Sequence, residues 1–583
     1  MSKPGASAGD PSGQLISPAA HLGRSASVSN SVRIRGRVSR EPLTKKPLQA
    51  RRSLSIALIR AAPAAPVTAF NGLIEIPPIG LAYLAASLKK AGHRVRIIDA
   101  FGEQPSQLIR HADGYYTQGL TPEQIVEHIP PDVDLVGVTC MFSTGWFYCH
   151  RTISHIAATF RDAPIIVGGE HPTADYERLL QRVPEVLCCV LGEGEETVVD
   201  IAAHLSHGLP LDDVPGIAVR NAGGDVYTTP DRQRILEVDE IPWPDWDTVP
   251  LPNYLDNNFG LDGYYSRTMP IVASRGCPYQ CTFCSSPQMF GTKWTARSPR
   301  DVLAEMQHDY DAFGARHFEF HDLTMIVRKD WIVEFCNLLI ERKLDVQWSM
   351  PSGTRSEVLD AEVLALMKRS GCRSFAYAAE SGSPAELKRI KKRINLQRML
   401  DSMRQAVKLE LVTRCHLICG MPDQTKWDVL ATLGFVTRLA WVGVHDVGCY
   451  AFSPYPGSEI YQRLVAEGRI DTEADDYEQM LAQQVTSNYK LRRSWTPHLP
   501  AWSVGWICVG TMSYFYALQF LFRPQRLVAV FQSLVRNRPH TYLQRVLVRK
   551  LGVGDAIPVP GWRLRSSVGG SAGSRASAKA QAS

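Results

Sequence analysis

The run IVASRGCPYQCTFCSSP, residues 271–287, decides how the rest of the chain is read. Its first four residues look like a short apolar strand. The loop that follows carries Cys277, Cys281 and Cys284 at the spacing C-x3-C-x2-C. Three thiolates on one short loop can face one centre. Structural zinc takes four closed protein ligands, and no fourth Cys or His is evident within the loop. Three-cysteine ligation of a [4Fe–4S] cube leaves one iron open, and thiolates suit iron–sulfur sites. Structural zinc and three unrelated core thiols are the competing readings.

Outward from that loop, strand-like runs alternate with amphipathic segments such as 329–342 and 396–409. The runs are IVAS (271–274), RHFEFHD (316–322), VQWSM (346–350), RSFAYAAE (373–380), LVTRCHLICG (411–420) and DVGCYAFS (446–453). About six strand–helix units over 266–470 predict a (β/α)6 partial TIM-barrel, with its site at the C-terminal ends of the strands. Upstream, 53–210 alternates in the same way. Leu81, Leu84, Ala85 and Leu88 mark one helix face there, and a doubly wound Rossmann-like domain is expected. Its strand ends run into polar or Gly-rich loops at Asp99, Thr139 to Thr144, Gly168 to His171 and Gly192 to Glu195, where such sheets bind ligands. Residues 211–265 form a connector, with a hairpin around Ala222-Gly223-Gly224 and a Pro-punctuated stretch, 242–254, expected to lie extended on the surface. The fold class is therefore α/β, with a helical C-terminal region over 471–565.

The charge is unevenly placed. The chain of 583 residues has a formal net charge of +6. Residues 1–52 hold ten Lys/Arg against Asp10 and Glu41, a net of +8, and 523–583 hold eleven against Asp555, a net of +10. The middle is left at −12, which speaks against a nucleic-acid-binding body. Residues 1–52 and 566–583 read as disordered tails. An Arg/Ser-rich start also matches an organellar transit peptide, but no apolar signal segment is present, and a cytoplasmic protein is expected. Thirteen Cys in so long a chain do not make a disulfide scaffold. Residues 501–522 contain no charge and are followed by Arg523 and Arg526. They read as helices packed on the barrel, as an interfacial membrane contact on the inner face of the membrane, or as a span.

The cysteine spacing, with Phe283 just before the last Cys, resembles the radical SAM superfamily. Ala379-Glu380-Ser381-Gly382-Ser383 with Leu387, Ile390 and Lys391 resembles its fourth-strand segment. His416 to Pro422 resembles its fifth-strand glycine motif, and Ser453 to Ser458 the turn after the sixth. Pro77-Pro78-Ile79-Gly80-Leu81, Gly92-His93, Asp99, Gly168 to Thr173 and Gly192 to Glu195 resemble the cobalamin-binding domain that precedes such barrels. The resemblance covers about 55–470. It implies a [4Fe–4S] cluster on Cys277, Cys281 and Cys284, and S-adenosylmethionine (SAM) near Phe283, Glu380, Ser381, Gly420 and Met421. It implies cobalamin near Pro78, Gly80, Asp99, Thr139, Ser143, Gly168, Gly169, His171, Gly192 and Glu193. The cobalt-ligating His of D-x-H-x-x-G is missing after Asp99, so a base-off cobalt without a protein His is expected.

The chemistry so implied is reductive cleavage of SAM to a 5′-deoxyadenosyl radical and C-methylation of an unactivated carbon of a lipid, isoprenoid, tetrapyrrole or secondary metabolite. A flavodoxin- or ferredoxin-type electron donor goes with it. Oxidative cyclisation of the anaerobic magnesium-protoporphyrin type and RNA modification are the alternatives, and a non-enzymatic iron–sulfur carrier is the remaining one. His321 and Asp322, ending the second barrel strand, are candidate substrate contacts. Cys415, Cys419 and Cys449 are expected to be core thiols, and Tyr279 and Gln280 to shape the cysteine loop.

Overall fold

The computed structural model describes residues 48–551, except 68–74, 263–266, 356, 473–476, 478–479, 482–490 and 492. The expected tail at 566–583, and most of that at 1–52, lie outside the described residues. Residues 51 and 52 do not: Arg51 N donates to Ser206 Oγ, and Arg52 pairs with Asp134 at 2.8 Å.

The first sheet has seven strands. In chain order they are β1 (Ser55–Arg60), β2 (Arg94–Asp99), β3 (Leu135–Thr139), β4 (Ile165–Gly168), β5 (Val186–Val190), β6 (Ile217–Arg220) and β7 (Val226–Thr228). Their spatial order is β7-β6-β5-β4-β3-β1-β2. The five strands β1 to β5 are parallel, and the hairpin β6–β7 adds an antiparallel edge. The parallel part runs 2-1-3-4-5, so the strand order reverses between β1 and β3, where such sheets open a ligand crevice. β1 reads SIALIR and is buried almost throughout, as a strand covered on both faces must be. Its covering helices include α1 (Ile79–Lys90), α2 (Trp146–Thr159), α3 (Glu170–Arg182) and α4 (Glu195–His207).

The second sheet has six parallel strands in sequential order: β8 (Thr268–Ile271), β9 (His317–Phe320), β10 (Gln347–Thr354), β11 (Cys372–Glu380), β12 (Val412–Cys419) and β13 (Asp446–Ala451). Between them come α5 (Pro299–Phe313), α6 (Lys329–Arg342), α7 (Ala361–Arg369), α8 (Leu396–Lys408) and α9 (Lys426–Val442). Along β12, buried residues alternate with partly exposed ones. Cys415, Leu417 and Cys419 face the helical layer, and Arg414, His416 and Ile418 face the lumen. Cys415, Cys419 and Cys449 are buried in the core. α9 starts with a capping box between Thr425 and Asp428, which satisfies two orphan donors of its first turn.

Two expectations are corrected. The first barrel strand ends at Ile271 rather than Ser274. Ser274–Arg275 instead pair with Thr295–Ala296 in a separate two-stranded ribbon, so the cysteine loop starts from a ribbon rather than from the strand. The 242–254 stretch is not extended on the surface. Trp246 and Tyr254 are buried, and Leu251–Asp256 is helical. Indole and phenol rings carry too much apolar area to leave in water, and the Tyr254 hydroxyl finds a buried acceptor in Asp99 at 2.6 Å.

Past the barrel, α10 (Ala501–Phe522), α11 (Pro524–Arg536) and α12 (Tyr542–Leu551) follow. α10 packs against α9 and β13, so it covers the edge the partial barrel leaves open. Val504, Cys508, Thr511, Phe515 and Gln519 are its buried stripe, at helical spacing.

Candidate active site between the two sheets

The three cysteines are free thiols, each partly exposed. Burial pushes the Cys281 thiol up, while the cations of Lys392 and Arg355 pull it down. Burial also holds the Cys284 thiol up at about 11. Arg355 lies 3.5 Å over the ring of Tyr279, inside the cysteine loop, and the Thr282 amide bonds Ile390 O at 3.1 Å. The loop is thus clamped to the end of β10 and to the C-terminal end of the short helix 384–389. Among the described residues no three His, Cys, Asp or Glu side chains converge on one ion position. A single zinc would need ligands within about 2.3 Å of one point; a cluster spreads three thiolates over three irons. The donor set, three thiols on one short loop, fits a cluster.

At the end of β11, Glu380 sits at φ +64°, a left-handed conformation that costs a non-glycine residue energy and marks a constrained site. Its carboxylate pairs with Lys392 at 3.0 Å, both groups buried. Ser381 is spent elsewhere. Its hydroxyl donates to Glu386 at 2.6 Å and accepts from the Ser383 amide, and Ser383 caps the short helix 384–389. Gly420, at φ +93°, has no room for a side chain, because a Cβ would meet Val504 of α10 at 2.9 Å. Met421 is buried with Ile390 and Phe452, and Phe283 packs against the same group. Asp322 accepts from Ala273 N at 3.2 Å and from Ser274 Oγ at 2.5 Å, so it ties the cysteine ribbon to β9. His321 faces Glu319 at 3.3 Å.

In the first domain, crevice and scaffold separate cleanly. Asp99 is fully buried, bonded to Tyr254 and 3.8 Å from Arg60, which also pairs with Glu75. Glu193 accepts from Arg234 and Arg275, and Glu195 from Arg275 at 2.5 Å. Arg275 directly precedes the Gly276–Cys277 turn, so two carboxylates of the first domain grip the stem of the cysteine loop. Ser285, next to Cys284, donates to Glu170. At the carboxyl ends of β3 and β4 stand Thr139, the exposed Met141 and Phe142, and Gly168 and Gly169. A Cβ on Gly169 would strike Cys140 O at 2.5 Å, so this close backbone approach admits only glycine. Ser143 and His171 share a hydrogen bond of 3.0 Å. His171 Nε2 is buried without a partner among the described residues, and burial lowers that imidazole to about 3. Pro78 precedes α1, Gly80 is exposed in its first turn, and Gly192 abuts Met289 O behind the cysteines.

Two profiles match this chain: "B12 binding domain" over 73–202 and "Radical SAM superfamily" over 271–436. The chain is 31% identical over 403 residues to an uncharacterized methyltransferase, PH0819, of Pyrococcus horikoshii, covering 68% of this chain and 80% of that protein. The chain belongs to the cobalamin-binding radical SAM family. It is also 29% identical to the anaerobic magnesium-protoporphyrin IX monomethyl ester cyclase of Synechocystis sp., covering 74% of this chain and 79% of that protein. Its fold is similar to that of the radical SAM methyltransferase TsrM from Kitasatospora setae, solved with cobalamin and a [4Fe–4S] cluster. That likeness has a TM-score of 0.59 at 16% identity and covers 80% of this chain and 91% of that one. The cofactors of the family are cobalamin, a [4Fe–4S] cluster and SAM, and the thiol loop and the glycine-lined crevice fit them.

Sequence reasoning missed Lys392, Arg355 and His416. Lys392 and Arg355 lie outside the motif runs and become visible only when the chain folds them beside Cys281. His416 was read only as part of a motif. Its even-numbered place on β12 could have shown it facing the lumen, where it lies 5.7 Å from Tyr450. His416 Nδ1 is buried without a partner among the described residues.

Proposed function

We propose that the chain is a cobalamin-dependent radical SAM enzyme that C-methylates an unactivated carbon of a lipid-like or polycyclic small molecule. The observation that carries this reading is the grip of Glu193, Glu195 and Glu170 on both ends of the cysteine loop. It brings the crevice of the first sheet to the open end of the barrel. We assign 53–210 to cobalamin binding, 211–265 to the connector, 266–470 to the radical SAM barrel and 471–565 to a helical extension.

On this reading Cys277, Cys281 and Cys284 hold the cluster, and Phe283, Glu380 and Met421 border SAM. Pro78, Gly80, Thr139, Ser143, Gly168, Gly169, His171 and Gly192 line the cobalamin side. Asp99, Glu193, Ser381 and Asp322 act one layer behind, by holding strand ends and loops in place. When bound, these groups supply SAM cleavage, hydrogen abstraction and a methyl donor. The protein supplies position and charge. The buried Lys392–Glu380 pair fixes charge beside the cysteine loop, Arg355 stacks on the loop, and the covered barrel keeps water from the lumen. His416 and Tyr450 offer the lumen a neutral imidazole and a phenol to orient a substrate.

A second reading, oxidative ring closure, is favoured by the cyclase relative. One assay separates the two. The anaerobically reconstituted protein is given reductant and methyl-deuterated SAM, together with candidate lipid-like substrates. A product heavier by a deuterated methyl supports methylation. A product lacking label but gaining a ring or oxygen supports cyclisation. Cys281→Ala is the control.

A further inference from the structure

We propose that the outer faces of α9 and α10 form a docking surface for an anionic lipid bilayer, with α10 lying along the membrane rather than across it. α10 is long and apolar enough to span a bilayer, but its contacts seat it on the barrel. Gln519 donates to Val444 O and His445 O at 2.8 Å, and Tyr516 donates to Asp446 at 3.0 Å. The opposite stripe, Trp502, Trp506, Gly510, Ser513, Ala517 and Leu521, is exposed and carries no charge. Trp502 is 66% exposed and Trp506 57%, and the outer face of α9 adds Trp427 at 79% and Trp441 at 68%.

The two helices lie side by side. Thr437 of α9 meets the hydroxyl of Tyr514 of α10 at 2.9 Å, and Trp441 stacks edge-on against Phe522 at 5.3 Å. The four indoles therefore stand on one two-helix layer. α11, which packs on α10, carries exposed apolar residues of its own, Phe531 and Val535. An exposed aromatic patch of this kind marks an interaction site, and indoles favour the bilayer interface.

Charge selects the occupant. Between Glu478 and Asp555 the chain has no Asp or Glu, while it has ten Lys and Arg, of which Arg493, Arg523, Arg526 and Arg545 hold backbone carbonyls of the body. On the outer face of α9 the charges are Lys426 and Arg438, and its one acid, Asp428, is buried and paired with Arg389. A second copy would bring like charge against like charge. An anionic headgroup layer complements it, as for basic-rimmed interfacial helices. The first turn of α10 also lies against Gly420, so the layer reaches the open end of the barrel. The surface deepens the lipid-like substrate class proposed above, but binding to vesicles is read without turnover. Failure here leaves the methyl-transfer reading standing, and failure of methyl transfer leaves this surface standing.

The test uses the full chain with vesicles of phosphatidylcholine alone and of phosphatidylcholine with phosphatidylglycerol. The expected result is co-flotation with the anionic vesicles, weakened by high salt, and a blue shift of tryptophan emission. Trp427→Ser/Trp502→Ser/Trp506→Ser, which leaves the net charge unchanged, should lower vesicle partition at least about tenfold while its thermal midpoint and cobalamin binding stay unchanged. Both proteins keep the same basic tails, so tail binding cannot produce the difference. Equal binding by wild type and variant would overturn the surface. So would no flotation by wild type, or a dimer by light scattering that the variant abolishes without vesicle binding.

Discussion

The carboxyl ends of the two sheets carry similar polar loops and use them in opposite ways. In the seven-stranded sheet, Glu193 and Glu195 are consumed by Arg234 and Arg275, while Asp99 bonds Tyr254 through one carboxylate oxygen and lies 3.8 Å from Arg60 through the other. What is left at these strand ends is glycine, the exposed Met141 and Phe142, and the uncharged polar groups of Thr139, Ser143 and His171, a surface suited to a broad macrocycle held by shape. In the barrel, the three thiols are partly exposed, Lys392 engages Glu380 through Oε1, and His416 keeps a ring nitrogen without a partner among the described residues. A polar residue at a strand end is thus a ligand candidate only when its own partners leave it an atom to offer. In the first domain those partners are arginines arriving from the connector and the cysteine ribbon.

The largest effect should come from the barrel side. Cys281→Ala is expected to lose iron and to bring SAM cleavage down to background, while cobalamin binding by the first domain is retained. Iron content and 5′-deoxyadenosine by mass spectrometry check this. Loss of cobalamin as well would mean that the two ends are not independent sites.

Next comes the grip between the halves. Arg275→Gln leaves Glu193 and Glu195 buried with a charge deficit. Breaking a buried pair in this way costs about 3–5 kcal/mol. Denaturant unfolding should show that loss, and Glu195→Gln in the same chain should recover part of it. A cost under about 1 kcal/mol would mean that the contact is a solvated one and the domains are held elsewhere.

Tyr254→Phe sharpens the contrast inside the first domain. It removes one donor from the buried Asp99, at a cost of about 1–3 kcal/mol, and cobalamin affinity should not change. A weaker cobalamin affinity at unchanged stability would return Asp99 to the ligand surface.

How far the sequence carried these conclusions follows from the kind of interaction. The strand–helix alternation was legible because both sheets are covered on their faces, so β1, β12 and β13 announce themselves as apolar or alternating runs. The cysteine loop was legible because its three thiols are local in sequence. Arg275 with Glu193 and Glu195, Tyr254 with Asp99, and Lys392 with Glu380 were not. Each pairing joins residues whose relation is set by the approach of separate elements, and a motif printed as Gly-Glu-Gly-Glu does not say whether its carboxylates meet a cofactor or an arginine. The 242–254 stretch misled for a related reason: its prolines suggested a surface run, while its aromatic rings were what the domain interface buried.

The smallest effects are in the pH dependence of stability, and the two halves should again differ in sign. His171 in the crevice is lowered to about 3 by burial, then by Arg178. The unfolded chain takes up that proton near 6.5 and the folded chain does not, so this group removes stability as pH falls from about 6.5 towards 3. Asp309 on α5, behind the barrel sheet, is raised to about 8, by burial first and then by Glu305. Its Oδ2 has no partner among the described residues. The folded state holds its proton where the unfolded state has released it, so this group removes stability as pH rises from about 4 to 8, and the loss is constant above that. Asp309→Asn should therefore raise the thermal midpoint by a few degrees at pH 8 and by less at pH 5, while His171→Gln should flatten the acid limb alone. Equal gains for Asp309→Asn at both pH values would show that the carboxyl is ionised and solvated throughout, and that the barrel wall behind α5 is more open than its packing implies.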